Sequence, residues 1–183
     1  MKKKIFLAAV LLLPLAYLIY RLFGTGVKDP IKYIYTVTGV TALTLLYITT
    51  SISMIRKVKN FVRYRRMIGL FSFFYALLHM SNFIILDMEL DLIQAIDETL
   101  KKPFVYLGMI AFLILLFMAI TSLRALFARF FKYHKVIYLA ILLATIHFAM
   151  AQKALTMWQW ELLGFLALFG VVKLLQRTRV LNL

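Results

Sequence analysis

Histidine is the residue type in this sequence best suited to holding a metal, because a neutral imidazole keeps a nitrogen lone pair even inside a membrane. The chain holds three: His79, His134 and His147. His79 lies in the apolar run from Met67 to Leu86, which follows the basic cluster Arg63-Tyr64-Arg65-Arg66, and His134 and His147 bracket a second run. His79 is 13 residues past Arg66 and His147 is 12 past Lys135. At a helical rise of about 1.5 Å per residue, both sit roughly 18–20 Å into a hydrocarbon layer about 30 Å thick. Two level imidazoles on separate helices are what bis-histidine ligation of a b-type haem requires, since the iron takes axial ligands from opposite faces of the macrocycle. The plainer alternative is that each imidazole only hydrogen-bonds across a helix pair. His134 lies at the water boundary, between Lys132 and Lys135. Thirteen residues turn a straight helix by about 220°, so His134 shares a face with His147 only if the helix bends.

These side chains need membrane helices to position them, and the composition supplies the material. Of 183 residues, 64% are hydrophobic, which excludes an ordinary soluble domain and predicts an all-α bundle forming one integral membrane domain over residues 1–183. Runs of spanning length occur at about 5–23, 35–55, 67–86, 103–123, 135–151 and 157–175, predicting six transmembrane helices. The first follows Lys2-Lys3-Lys4 but is too long for the core of a signal peptide, so it is expected to remain as a helix. Its Pro14 should kink the helix, which membrane proteins tolerate when neighbours satisfy the freed carbonyl. Zero cysteines exclude disulfides, iron–sulfur clusters and covalently attached haem.

A net charge of +15 in a soluble protein would suggest nucleic acid. Its distribution here points to the lipid bilayer instead. With the N-terminus inside, the inner segments hold 16 of the 22 basic residues, and the outer segments hold six together with all seven acids. The division is +16 inside against −1 outside, predicting that both termini are cytoplasmic.

Among the connecting segments, Asp29-Pro30 reads as an N-cap with proline at the first helical position and predicts a short outer helix. The outer stretch from Asp87 to Lys102 alternates apolar residues with five acids, as in an amphipathic helix lying on the membrane surface. The basic loop from Arg56 to Arg66 suits anionic lipid, and its Arg65 and Arg66 suit a haem propionate or a flavin phosphate. Neither a glycine-rich phosphate loop, nor a paired-histidine zinc motif, nor a nucleophile motif occurs. Three functions fit: haem-mediated electron transfer, a transporter or channel with His79 and His147 as proton relay, and an assembly subunit without redox chemistry. Few acids lie within the runs and no paired broken helices or repeats are visible, which weighs against transport.

Taken in order, Asp29-Pro30-x-Lys32, Thr38-Gly39, Arg65-Arg66-x-x-Gly69-Leu70, Leu78-His79, Pro103-Phe104-x-x-Leu107-Gly108, Thr121-Ser122, Tyr133-His134-x-x-x-Tyr138 and Ile146-His147 resemble the MsrQ (YedZ) family of ferric-reductase-like membrane proteins. That resemblance implies a haem b subunit of the bacterial inner membrane, passing electrons from the quinol pool to a periplasmic molybdopterin reductase that repairs methionine sulfoxide in proteins. It also implies FMN as a further cofactor and a cytoplasmic flavin reductase as an alternative electron source. Larger relatives stack two haems, the second needing a histidine where this chain has Arg65 or Arg66. Arginine keeps its proton and offers iron no lone pair, so His134 is expected at electron entry or at a second ligand site. Larger relatives also continue into a flavin and nicotinamide domain, whereas this sequence ends at Leu183, so electrons are expected to enter from another molecule.

Overall fold

The computed structural model describes residues 2–52 and 59–152, and isolated positions between 157 and 172. Its elements are α1 (Lys2–Tyr20, continued by a π-turn, Arg21–Thr25), α2 (Pro30–Ile52) and α3 (Lys59–Ser81, continued by a π-turn, Asn82–Asp87). There follow α4 (Leu92–Lys101), α5 (Pro103–Thr121), α6 (Arg124–Phe130), a 3-10 turn (Phe131–Val136) and α7 (Ile137–Ala151). Among the described residues, five segments are long and apolar enough to cross a membrane: Lys2–Thr25, Pro30–Ile52, Arg63–Asp87, Pro103–Thr121 and Ala125–Ala151. The chain is a multi-pass membrane protein. The sixth expected helix, 157–175, lies partly outside the described residues, which cover only scattered positions of it.

Local chemistry sets where these elements begin. The Asp29 carboxylate accepts from the Lys32 amide at 3.0 Å and Pro30 occupies the first helical position, where its missing N–H costs nothing. The helix that starts there is α2 itself, running unbroken to Ile52, rather than a separate short one. The apolar periodicity after Pro30 never breaks, so nothing stops the first turn from propagating. Asp91 caps α4 by accepting from the Gln94 amide at 2.9 Å, and Pro103 opens α5.

The core is built around α2. On one side Ala42 and Leu45 pack with Leu11 of α1 and with Ile68 and Tyr75 of α3. On the other, Leu43, Leu46 and Tyr47 pack with Leu115 of α5 and with Ile137, Ala140 and Ile141 of α7. Both α3 and α7 pack against α2 and against α5, so the four form a ring with α3 and α7 on one diagonal. In lipid, interhelical polar contacts supply part of the cohesion. Buried Ser72 donates to the Ala42 carbonyl at 2.8 Å. Thr145 donates to the Ile141 carbonyl at 2.7 Å, which leaves its oxygen to accept from the Tyr47 hydroxyl at 2.6 Å.

The break at Pro14 is repaired by α3. Fully buried Tyr75 donates its hydroxyl to the Leu11 carbonyl at 2.8 Å and accepts from the Leu15 amide at 3.2 Å. Those two backbone groups would pair with each other in an uninterrupted helix. A phenol is thus spliced into the α1 ladder, fastening that helix to the bundle.

Candidate functional site

His79 projects from the end of α3 and His147 from the end of α7, on diagonally opposite helices, and their ring centres lie 6.0 Å apart with planes at 89°. The level placement expected from counting residues is therefore a direct juxtaposition in the structure. Both rings are partly buried.

Hydrogen bonds fix which nitrogen of each ring carries the proton. His147 Nδ1 lies 2.6 Å from the carbonyl of Phe104 on α5; a carbonyl only accepts, so Nδ1 is the protonated nitrogen. His79 Nδ1 lies 3.2 Å from the carbonyl of Tyr35 on α2 and 3.3 Å from the Thr38 hydroxyl oxygen. The Thr38 proton is already donated to the Ile34 carbonyl at 2.6 Å, so the imidazole Nδ1–H donates a forked bond to both acceptors. Each ring is left with its Nε2 lone pair.

Aromatic rings frame the pair. Tyr35 stands edge-on to His79, with centres 5.1 Å apart, and Phe104 stacks on His147 at 6.1 Å. The Tyr35 hydroxyl donates to Asp87 at 3.0 Å, so one residue contacts the imidazole through its carbonyl and ring and the segment before α4 through its phenol.

Two imidazoles, each with an Nε2 lone pair, are a donor set of the kind that would suit a haem iron. An imidazole nitrogen lies about 1.2 Å from its ring centre and binds a first-row metal ion at about 2.0–2.1 Å, so two rings flanking one ion have centres about 6.4 Å apart. The observed 6.0 Å matches within a few tenths of an ångström. Protonated Nδ1 held by a carbonyl is also the usual arrangement of a metal-binding histidine.

His134 is elsewhere, in the 3-10 turn before α7. Because that turn interrupts the helix, the rotation expected for one straight helix does not relate it to His147. Its Nε2 lies 3.0 Å from the Thr121 hydroxyl. That hydroxyl is spent on the Phe117 carbonyl at 2.7 Å, so Nε2–H donates and Nδ1 keeps the lone pair. Phe127 stands edge-on to the ring at 5.1 Å. On α3, Arg65 is half-buried and Arg66 exposed. The structure thus gathers His79 with His147 at one end of the bundle and sets Arg65 and His134 apart from them.

The partners that orient the deep histidines are ones residue-type reasoning misses. Tyr35 and Phe104 act through backbone carbonyls, which every residue possesses. A signal was nevertheless present: each stands four residues before a glycine, Gly39 and Gly108.

Residues 56–146 match the family described as ferric reductase like transmembrane component. The chain is 36% identical over 132 residues to the protein-methionine-sulfoxide reductase heme-binding subunit MsrQ of Brucella anthropi, covering 69% of this chain and 60% of that protein. The corresponding proteins of Brucella ovis and Brucella canis show the same identity and coverage. The chain thus spans about 60% of the length of these curated relatives. No solved structure matches.

Proposed function

Because the chain belongs to the MsrQ family of ferric-reductase-like membrane proteins, we propose that it is a membrane electron-transfer subunit holding haem b between His79 and His147. The observation that carries this reading is the pairing of two imidazoles 6.0 Å apart, each anchored through Nδ1 so that Nε2 is the free donor. When bound, haem supplies a one-electron iron couple.

The chain's own residues do the rest. His79 and His147 would hold the iron, and the Tyr35 and Phe104 carbonyls make both imidazoles more basic by drawing on their Nδ1 protons. The packed faces of α2, α3, α5 and α7 half-bury both rings. At the opposite end Arg65 supplies a fixed positive charge for an anionic group such as a flavin phosphate; 14 residues of α3, about 21 Å, keep it out of reach of a propionate of a haem at His79. His134, with an unprotonated Nδ1, offers a proton acceptor where a quinol or reduced flavin would surrender electrons. The electron path then runs from the cytoplasmic half of the bacterial inner membrane towards the outside. The acceptor in this reading is a periplasmic molybdopterin-containing methionine sulfoxide reductase; the names of the relatives support a methionine sulfoxide reductase system and no more.

An absorption spectrum of the purified full chain tests the reading. A dithionite-reduced b-type spectrum at one haem per chain or more is expected. Protein purified from haem-replete cells with no such spectrum would leave the histidine pair as a proton relay or a packing contact.

A further inference from the structure

The two deep histidines are seated in the same way on different helices. His79 of α3 lies over Gly39 of α2 and bonds the carbonyl four residues earlier, at Tyr35. His147 of α7 lies over Gly108 of α5 and bonds the carbonyl four residues earlier, at Phe104. A β-carbon at position 39 would stand 2.9 Å from His79 Cε1 and 3.0 Å from Nδ1; at position 108 it would stand 2.7 Å from His147 Nδ1 and 2.8 Å from Cε1. Real contacts of that kind are not tolerated, so something would have to shift.

The four-residue spacing has a physical origin. In an α-helix the carbonyl of residue i points along the axis at residue i+4, whose amide it already accepts. The side chain at i+4 ordinarily covers that carbonyl from the side, and glycine uncovers its second lone pair. An imidazole can then lie flat on the glycine and donate Nδ1–H to the exposed oxygen.

Resting on the haem reading above, we infer that Gly39 and Gly108 are positioning residues: together with the carbonyls at 35 and 104 they form two matching cradles that fix both imidazoles with Nε2 presented as ligand. Neither glycine has a positive backbone angle requiring it, and α2 and α5 run straight through both. Close approach of the imidazole is therefore what each position demands.

The test has two arms. In haem-free full chain labelled with 15N-histidine, both deep imidazoles should show the Nδ1–H tautomer, and either resonance appearing as Nε2–H overturns the inference whatever the variants do. In loaded protein, Gly39→Ala and Gly108→Ala should each weaken haem binding about 10–100-fold, the range for losing an outer hydrogen-bonding partner of a metal ligand. The low-spin spectrum of the residual haem should shift. Gly69→Ala, whose added carbon would meet Thr49 at ordinary contact distance, Cγ2 at 3.4 Å and Oγ1 at 3.9 Å, is the control in the same bundle and should retain wild-type haem. Wild-type occupancy and spectrum in both cradle variants would overturn the inference. If the wild-type chain binds no haem, the functional reading fails and the tautomer arm alone decides the cradles.

Discussion

Removing either deep imidazole should leave the iron one axial ligand short. His79→Ala and His147→Ala are each expected to lower haem retained through purification by about tenfold or more, a loss of the size typical for metal-site disruption, measured by haem extraction per mole of protein. An unchanged low-spin spectrum at full occupancy in either variant would refute the ligand assignment. His134 should behave differently, because it bonds Thr121 at the other end of the bundle. His134→Ala is expected to keep the low-spin haem and slow its reduction by quinol. Loss of all haem from that variant would make His134 a ligand of the principal site. The pairing of His79 with His147 was legible at the residue scale because imidazoles are rare here and their distance from the charged edges can be counted. What orients them was not legible, since a carbonyl at Tyr35 or Phe104 carries no residue identity. Only the repeated four-residue step to a glycine marks it.

Helices α2 to α7 place these side chains, and α1 is attached through one side chain in particular. Tyr75 bridges Leu11 and Leu15 across the break at Pro14. Tyr75→Phe would strand a buried carbonyl and a buried amide, and should destabilise the protein by about 1–3 kcal/mol, read as a lower midpoint of thermal unfolding in detergent. With Pro14→Ala the α1 ladder can close on itself, so the same Tyr75→Phe change should cost less in that background. Equal costs in both backgrounds would mean that the phenol contributes only packing. The proline break was visible in the sequence, and so was the need for a neighbour to repair it, but the identity of that neighbour was not, because it lies 60 residues away in another apolar run. Element ends were blurred for a related reason. Apolar runs continue smoothly into the π-turn after α3, and the 3-10 turn before α7 has the same composition as a helix end.

Across the whole molecule the charges form two unlike ends, and each has a measurable consequence. Reporter fusions are expected to place the segment before α4 outside and the C-terminus inside, as the +16 to −1 division requires. Alkaline phosphatase active after Leu183 and inactive within that segment would reverse the orientation. At the outer end, Lys101 pairs with Asp97 and Lys102 with Glu98, so α4 largely satisfies its own charge. Asp87, Glu89 and Asp91 remain on the turn leading into α4, and Glu89 and Leu90 hold it in a left-handed conformation, with φ of 49° and 67°. Asp87 also accepts from Tyr35, whose carbonyl binds His79, so this turn is the stretch of surface most directly joined to the histidine pair. A soluble acceptor guided by such a patch should lose encounter rate when its sign is reversed, and the loss should shrink as salt screens the field. Replacing all three acids by lysine is therefore expected to slow reduction of the acceptor about tenfold at low ionic strength, in the range such steering commands. Reduction of the haem by quinol should be slowed less than reduction of the acceptor. If stopped-flow traces showed both steps at wild-type rates, with the same dependence on salt, the acceptor would dock on another surface.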